Sequence, residues 1–279
     1  MKIAISAEST IDLPKILLEE YDIHTIPFQV LLGDNEYLDG EITPPEIFEF
    51  VKQNKILPKT SAINEMTYTD YFNDLLTKYD AVVHITLSSK LSSSNSHAVS
   101  ASTKLPNVYV VDSKSLSTGI ALLAWHAVKL ANQGFSAEEV YNGVLKQVSN
   151  VQASFVIDKL DYLYKGGRCS ALSLFGANLL SIHPQILVED GAMKVHKKYR
   201  GRLEKVVSDY CNDCLAEFNS PDLDVAFLTY TTATDEMLNI ARTALQNRGF
   251  KTIYETKAGA TISSHCGEQT LGILYLNKK

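Results

Sequence analysis

An α/β fold in two parts is what this sequence predicts: a three-layer, mostly parallel sheet first, then a two-layer mixed sheet. Three observations point there. Up to residue 150, β-branched runs such as Ala81–Leu87 and Asn107–Val111 alternate with helical patterns such as Ile120–Asn132 and Ala137–Val148. That alternation marks a parallel sheet covered on both faces. After Ser149-Asn150 the texture changes, and Ile186–Glu189 and Ala192–Val195 flank Asp190-Gly191 as a hairpin among crossovers. Finally, Ser6–Thr10, Ser88–Ser92 and Asp112–Ser117 are polar clusters at strand ends, where open α/β sheets build their sites.

The first elements follow from local chemistry. Ile3–Ser6 is strand one, and Thr10 or Asp12 is available to cap a helix that Pro14 opens and that runs to about Tyr21. Thr25–Leu32 reads as a strand broken early by Pro27, and Tyr37-Leu38 as a hairpin arm after the Gly33–Glu36 turn. Pro44-Pro45 starts a helix to about Lys52, Pro58–Ser61 is a loop, and Met66–Tyr79 is a helix with Tyr68, Tyr71, Phe72 and Leu75 on one face.

The second half begins with a strand, Ala153–Ile157. Two helices follow, Leu160–Ser170 with its Gly166-Gly167, and Ala171–Leu180. Beyond the hairpin, helices span Leu203–Phe218 and Asp235–Asn247, and strands span Asp224–Tyr230, Thr252–Glu255 and Thr270–Leu276. The predicted division is 1–152 and 153–279.

Bulk properties narrow the function. The chain has 279 residues, enough for one large domain or two smaller ones. A net charge of −6, with Lys and Arg scattered, excludes a nucleic-acid footprint. Met1–Ser6 reads as a strand rather than a secretory leader, and no apolar run approaches the ~18 residues of a membrane span. A cytoplasmic protein is expected, with transient membrane contact left open. Cys211 and Cys214 form a CxxC, but Leu203, Val207 and Phe218 share their helical spacing, which makes both thiols apolar core. His84, inside an apolar strand, is also core.

Ala81–Ala101 organises the chain: a buried strand, the hydroxyl-rich turn Ser88–Ser96, then a helix start. Such a unit directs N–H groups and hydroxyls at one spot that favours a negatively charged oxygen. A serine-rich cap that satisfies only its own helix accounts for it equally. A second hydroxyl pair, Thr60-Ser61, and the late His265 favour the anion site.

At Ser9–Pro14, Lys59-Thr60-Ser61, Ser88–Ser92, Val111–Gly119, Leu160–Ser170 and His265–Gly272 the chain resembles the DegV family, the fatty-acid-binding component of bacterial fatty acid kinase systems. The likeness spans nearly the whole chain, and the motifs in this order are specific. Three departures stand out: Ala7-Glu8 before Ser9-Thr10, Ser93-Ser94-Asn95 after Ser92, and Gly267-Glu268-Gln269-Thr270 in the last motif. The resemblance implies two α/β domains with a lipid tunnel between them. It further implies a carboxylate held by Thr60 and Ser92 with His265 close by; Ser61 and Ser93 join them as carboxylate-binding candidates. By the same likeness the chain is not an enzyme and needs no cofactor. It presents the bound acid to a separate, dihydroxyacetone-kinase-like kinase, which makes an acyl phosphate for phospholipid synthesis.

The chemistry is consistent with that role. Burial at ~0.8 kcal/mol per methylene gives a long tail roughly 11 kcal/mol gross, so the tail supplies the affinity. Hydroxyls and N–H groups after Ser92 offset the cost of burying the head. His265 adds a donor, and a positive charge if protonated. Ile120, Leu123, Leu172, Phe175, Leu179 and Ile186 are tail-channel candidates, each equally consistent with ordinary core. Arg168, Arg200 and Arg202 are candidates for the partner interface, Arg168 being equally a helix-end cation. The competing function is an acyl hydrolase with Ser92 as nucleophile and His265 as base, which lacks a G-x-S-x-G elbow. Nucleotide binding lacks any P-loop or G-x-G-x-x-G.

Overall fold

A computed structural model describes residues 1–169 and 182–278. Strands β1 (Ile3–Glu8), β2 (Ile23–Ile26), β3 (Gln29–Leu32), β4 (Asn35–Leu38) and β5 (Lys59–Ser61) interleave with helices α1 (Lys15–Glu20) and α2 (Pro44–Asn54). Helix α3 (Glu65–Leu76), β6 (Ala81–Thr86), α4 (Ser94–Ser102), β7 (Val108–Asp112), α5 (Thr118–Asn132) and α6 (Ala137–Val148) follow. Next come β8 (Val151–Val156), α7 (Asp161–Lys165), β9 (Ile182–Glu189), β10 (Ala192–Arg200) and α8 (Leu203–Glu217). The chain closes with β11 (Pro221–Tyr230), α9 (Asp235–Arg248), β12 (Thr252–Lys257), α10 (Ala260–Cys266) and β13 (Leu271–Asn277).

The first sheet, β2-β1-β6-β7, is wholly parallel. Every residue of β6 is buried, as a central strand with helices on both faces requires. The second sheet, β10-β9-β8-β13-β11-β12, is antiparallel except at β11–β12, so it is mixed as expected. Helices α8 and α9 cover one face, over a core that includes Tyr210, Cys211, Cys214 and Tyr275. The other face lies on α5, which also packs against β1 and β6. One buried cluster therefore runs from Ala4, Ile85 and Leu123 through to Phe155, Phe227 and Leu274.

Several expectations are corrected. Residues 25–32 belong to two strands in different sheets, because Pro27 has no N–H for a ladder and the chain leaves the parallel sheet there. Residues 59–61 form β5, not a loop. Three polar residues carry no strand signal of their own, and pairing with β3 makes the strand. Helix α7 stops at Gly166, well short of Ser170. The predicted helix 171–180 lies outside the described residues. The hairpin is longer than expected, and Asp190 and Gly191 both take positive φ (49° and 83°), as a two-residue twisted turn demands. Helix α10 goes unmarked in the sequence. All its residues except His265 are buried, so no polar face marks its period.

Neither Thr10 nor Asp12 caps α1, whose N-cap is Pro14 without a side-chain bond. Asp12 is instead held at φ 55° and turned toward α10. The CxxC thiols are core as expected. Burial pushes both up, Cys214 to about 12, so neither is a nucleophile at neutral pH. His84 is core too: Ser6 Oγ meets its Nδ1 at 2.5 Å, and burial pushes the ring down to about 3.

Candidate functional site

Two carboxylates set the start of α10. Asp12 Oδ1 accepts from Gly259 N (2.8 Å), and its Oδ2 accepts from Ser117 Oγ (2.5 Å). Asp39 Oδ1 accepts from Ala260 N (2.9 Å), and its Oδ2 from Ser9 Oγ (2.9 Å) and Thr261 N (3.3 Å). The first amides of a helix lack internal partners, and these oxygens supply them. Gly259 permits the approach, because a Cβ there would lie 3.1 Å and 3.2 Å from the two carboxylates. Burial, reinforced by the charge of Asp39, pushes the Asp12 carboxyl well above its ordinary range. The Ser9–Asp12 motif is thus a mount for α10, and α10 carries His265.

His265 Nε2 and Thr60 Oγ1 share a hydrogen bond of 2.8 Å. Burial, with the nearby charge of Arg168 adding to it, lowers the imidazole to about 4. At neutral pH the ring is uncharged, so it contributes hydrogen bonding and not the positive charge considered above. Pairing of Val30 with Thr60 in the small sheet β4-β3-β5 positions the threonine. Side chains alternate along a strand, and Ser61, the next residue, does not line the cavity that Thr60 lines.

The serine turn is fastened at several points. Leu87 N donates to Glu8 Oε2 (2.5 Å), Ser88 Oγ to Gly191 O (2.7 Å), and Ser89 Oγ to Asp112 Oδ2 (2.6 Å). Glu8 also accepts from Tyr68 Oη (2.5 Å), and burial pushes its carboxyl up to about 7. Ser92 Oγ accepts from Ser94 N (3.1 Å). Ser92 thus tends its own helix as an acceptor, as the capping reading expects, and keeps a hydroxyl proton free to donate.

These elements enclose a cavity of about 190 Å³. Phe28, Leu87, Leu91, Leu116, Met193 and Ile262 supply apolar walls, and Thr60, Ser92, Ser93, Thr261 and His265 supply polar groups. Leu116, Ile262 and Cys266 also border a deeper pocket of about 30 Å³ that reaches Phe155 and Leu274. The larger volume is below the ~300 Å³ at which small-molecule pockets usually begin. A long tail therefore requires widening at that neck or space beyond these walls. Arg168 stands at the rim, with Nη1 donating to Gly166 O (2.6 Å) and Nε to Leu91 O (3.5 Å).

Of the predicted head-group residues, Thr60, Ser92, Ser93 and His265 meet in one cavity. The tail candidates fare differently. Ile120, Leu123 and Ile186 are fully buried core and line none of it. Leu172, Phe175 and Leu179 lie outside the described residues. Arg200 and Arg202 are exposed, and Arg202 Nε meets Glu204 at 3.5 Å. Sequence reasoning missed Thr261, whose buried Oγ1 lines the cavity without a partner among the described residues. Its signal was the run Thr261-Ile262-Ser263-Ser264 ahead of His265. Among the described residues Ser92 and His265 share no hydrogen bond, and no carboxylate orients His265 Nδ1, so the hydrolase reading lacks its geometry.

Comparison with known proteins agrees with this architecture. A solved DegV-family protein of Thermus thermophilus, described for its fatty acid binding, is 26% identical with a TM-score of 0.92, each chain covered in full. DegV of Bacillus subtilis, described as a fatty acid binding protein, is 28% identical with a TM-score of 0.87, again over both whole chains. A fatty acid-binding protein of Thermotoga maritima is 36% identical over 211 residues, 72% of each chain. The family model described as "Uncharacterised protein, DegV family" matches residues 2–278, and the chain belongs to that family.

Proposed function

We propose that this protein binds one long-chain fatty acid, its carboxylate at Thr60, Ser92, Thr261 and His265 and its tail running past Leu116, Ile262 and Cys266. It presents that carboxylate to a separate, dihydroxyacetone-kinase-like kinase. One carboxylate oxygen attacks the terminal phosphorus of ATP on the kinase. The bond from that phosphorus to its bridging oxygen breaks, ADP leaves with the electron pair, and an acyl phosphate for phospholipid synthesis results. Arg168, at the rim, and the exposed Arg200 and Arg202 are the proposed kinase contacts, and the cytoplasm is the proposed compartment.

One observation carries the reading: hydroxyls from β5, the turn before α4, and α10 converge on a single apolar cavity beside a neutral imidazole. Neutral donors stabilise a carboxylate without the firm two-pronged grip of an arginine, which leaves an oxygen able to react. Fatty-acid binding by the Thermus, Bacillus and Thermotoga relatives supports the ligand class.

Organic-solvent extraction of purified protein, followed by mass spectrometry, is expected to release one fatty acid per chain. Release of no lipid, with no palmitate uptake afterwards, would contradict binding. Palmitate uptake without acyl phosphate on addition of kinase and ATP would contradict presentation alone.

A further inference from the structure

Outside the Thr60–His265 pair lies a second cavity, of about 340 Å³. Thr60, Arg168 and His265 border both this cleft and the inner cavity. A head group at that boundary has apolar walls behind it and the cleft in front. Lys59, Lys165 and Arg168 line the cleft, and among the described residues no carboxylate does. Asp161 meets Lys165 Nζ only at 3.9 Å, with both side chains exposed. Three cations on one carboxylate-free wall run against a net charge of −6.

A second observation is independent of charge. Ser264 Oγ, on a side chain 3% exposed, and His265 Nδ1 belong to residues of this wall, and neither atom has a hydrogen-bond partner among the described residues. Buried polar atoms are almost always paired. Gly166 leaves the room beside the imidazole: a Cβ there would lie 2.8 Å from His265 Nδ1.

We propose that this cleft holds the phosphoryl group of the acyl phosphate, at a site that shares Thr60 and His265 with the carboxylate donors and adds Lys59, Lys165 and Ser264; it rests on the presentation reading above. A phosphoryl group brings up to two negative charges and three acceptor oxygens. Lysines serve it as point charges, and the unpartnered Ser264 hydroxyl donates to one of its oxygens. The free acid's carboxylate meets this cleft only at the Thr60 and His265 edge, so contact with Lys59, Lys165 and Ser264 separates product from substrate.

The test uses full-length, delipidated protein and two probes, with no kinase present. One probe is palmitate. The other is 2-oxoheptadecylphosphonate, in which a methylene replaces the labile bridging oxygen of palmitoyl phosphate. Calorimetry is expected to show the phosphonate bound at least tenfold more tightly than palmitate. The double variant Lys59→Ala/Lys165→Ala is expected to lose that advantage while its palmitate affinity stays within twofold. Raising salt from about 0.05 M to about 0.5 M is expected to weaken the phosphonate more than palmitate, because exposed lysines are screened. Phosphonate affinity indifferent to the double substitution, or an equal loss for both probes, would overturn the cleft assignment and leave fatty-acid binding intact. Wild-type protein that took up neither probe would overturn the fatty-acid reading and this inference with it.

Discussion

His265 is uncharged where a first reading of its chemistry allows a cation, and this changes what holds the head group. With burial lowering it to about 4, the ring hydrogen-bonds Thr60, and in the proposed function the ligand's charge is left to hydroxyls and amides. Thr60→Val keeps the shape and removes the hydroxyl. A fatty-acid affinity about tenfold weaker is expected by calorimetry, since a hydrogen bond to a charged group contributes about 1.5 kcal/mol or more; an unchanged affinity would remove Thr60 from the site. The titration has its own signature. The folded imidazole is depressed and the unfolded one titrates near 6.5, so between those values the unfolded chain binds the extra proton. Stability from this group is complete above pH 6.5 and is lost as pH falls toward 4. Denaturant titrations of apo wild type and His265→Gln at pH 7 and pH 4.5 should diverge by roughly 2–3 kcal/mol, wild type losing more. Parallel losses would show that the ring is not desolvated.

Helix α10 is the element on which the site depends. Seven residues long, it is too short to stand on propensity, and its position comes from Asp12, Asp39 and Ser9. Asp39→Ala leaves Ala260 N, Thr261 N and Ser9 Oγ without their acceptor. A destabilisation of about 1–3 kcal/mol is expected in chemical denaturation, with a lower fatty-acid affinity alongside. Normal stability and affinity would mean that α10 is held by packing alone. Elements also differ in how far the sequence discloses them. β6 and α5 announce themselves through β-branched or helical periodicity. α10 has no exposed stripe, β5 has three residues and no apolar run, and Asp12 resembles a local cap because its partner Gly259 is far along the chain. Thr261 stayed hidden with its helix, whereas Thr60, Ser92 and His265 were legible as hydroxyls and imidazole inside motifs.

At the scale of the molecule, α5 is common property. It packs on β1 and β6 of the first sheet and on β8 and β13 of the second, and one core runs through both. The predicted division at 152 falls inside β8, whose Val151 and Gln152 already pair with β13, and one core runs across it. Far-UV circular dichroism and tyrosine fluorescence should report one coincident unfolding transition. Two resolved transitions would mean that the lobes fold independently. The Ser88–Gly191 bond (2.7 Å) ties the serine turn to the β9–β10 hairpin, so the second sheet helps to set the geometry of the candidate site. A Cβ at Gly191 would stand 2.5 Å from Ser88 Oγ, on a backbone at φ 83°. A larger residue there is strained by its backbone and crowds the Ser88 hydroxyl that bonds Gly191 O.

A crystal structure of the palmitate complex bears on all of this most directly. The carboxylate should lie within about 3 Å of the Thr60, Ser92 or Thr261 hydroxyls, with the neck at Leu116, Ile262 and Cys266 widened around the tail. Palmitate bound elsewhere, or that neck closed by side chains with the lipid on the surface, would refute the site.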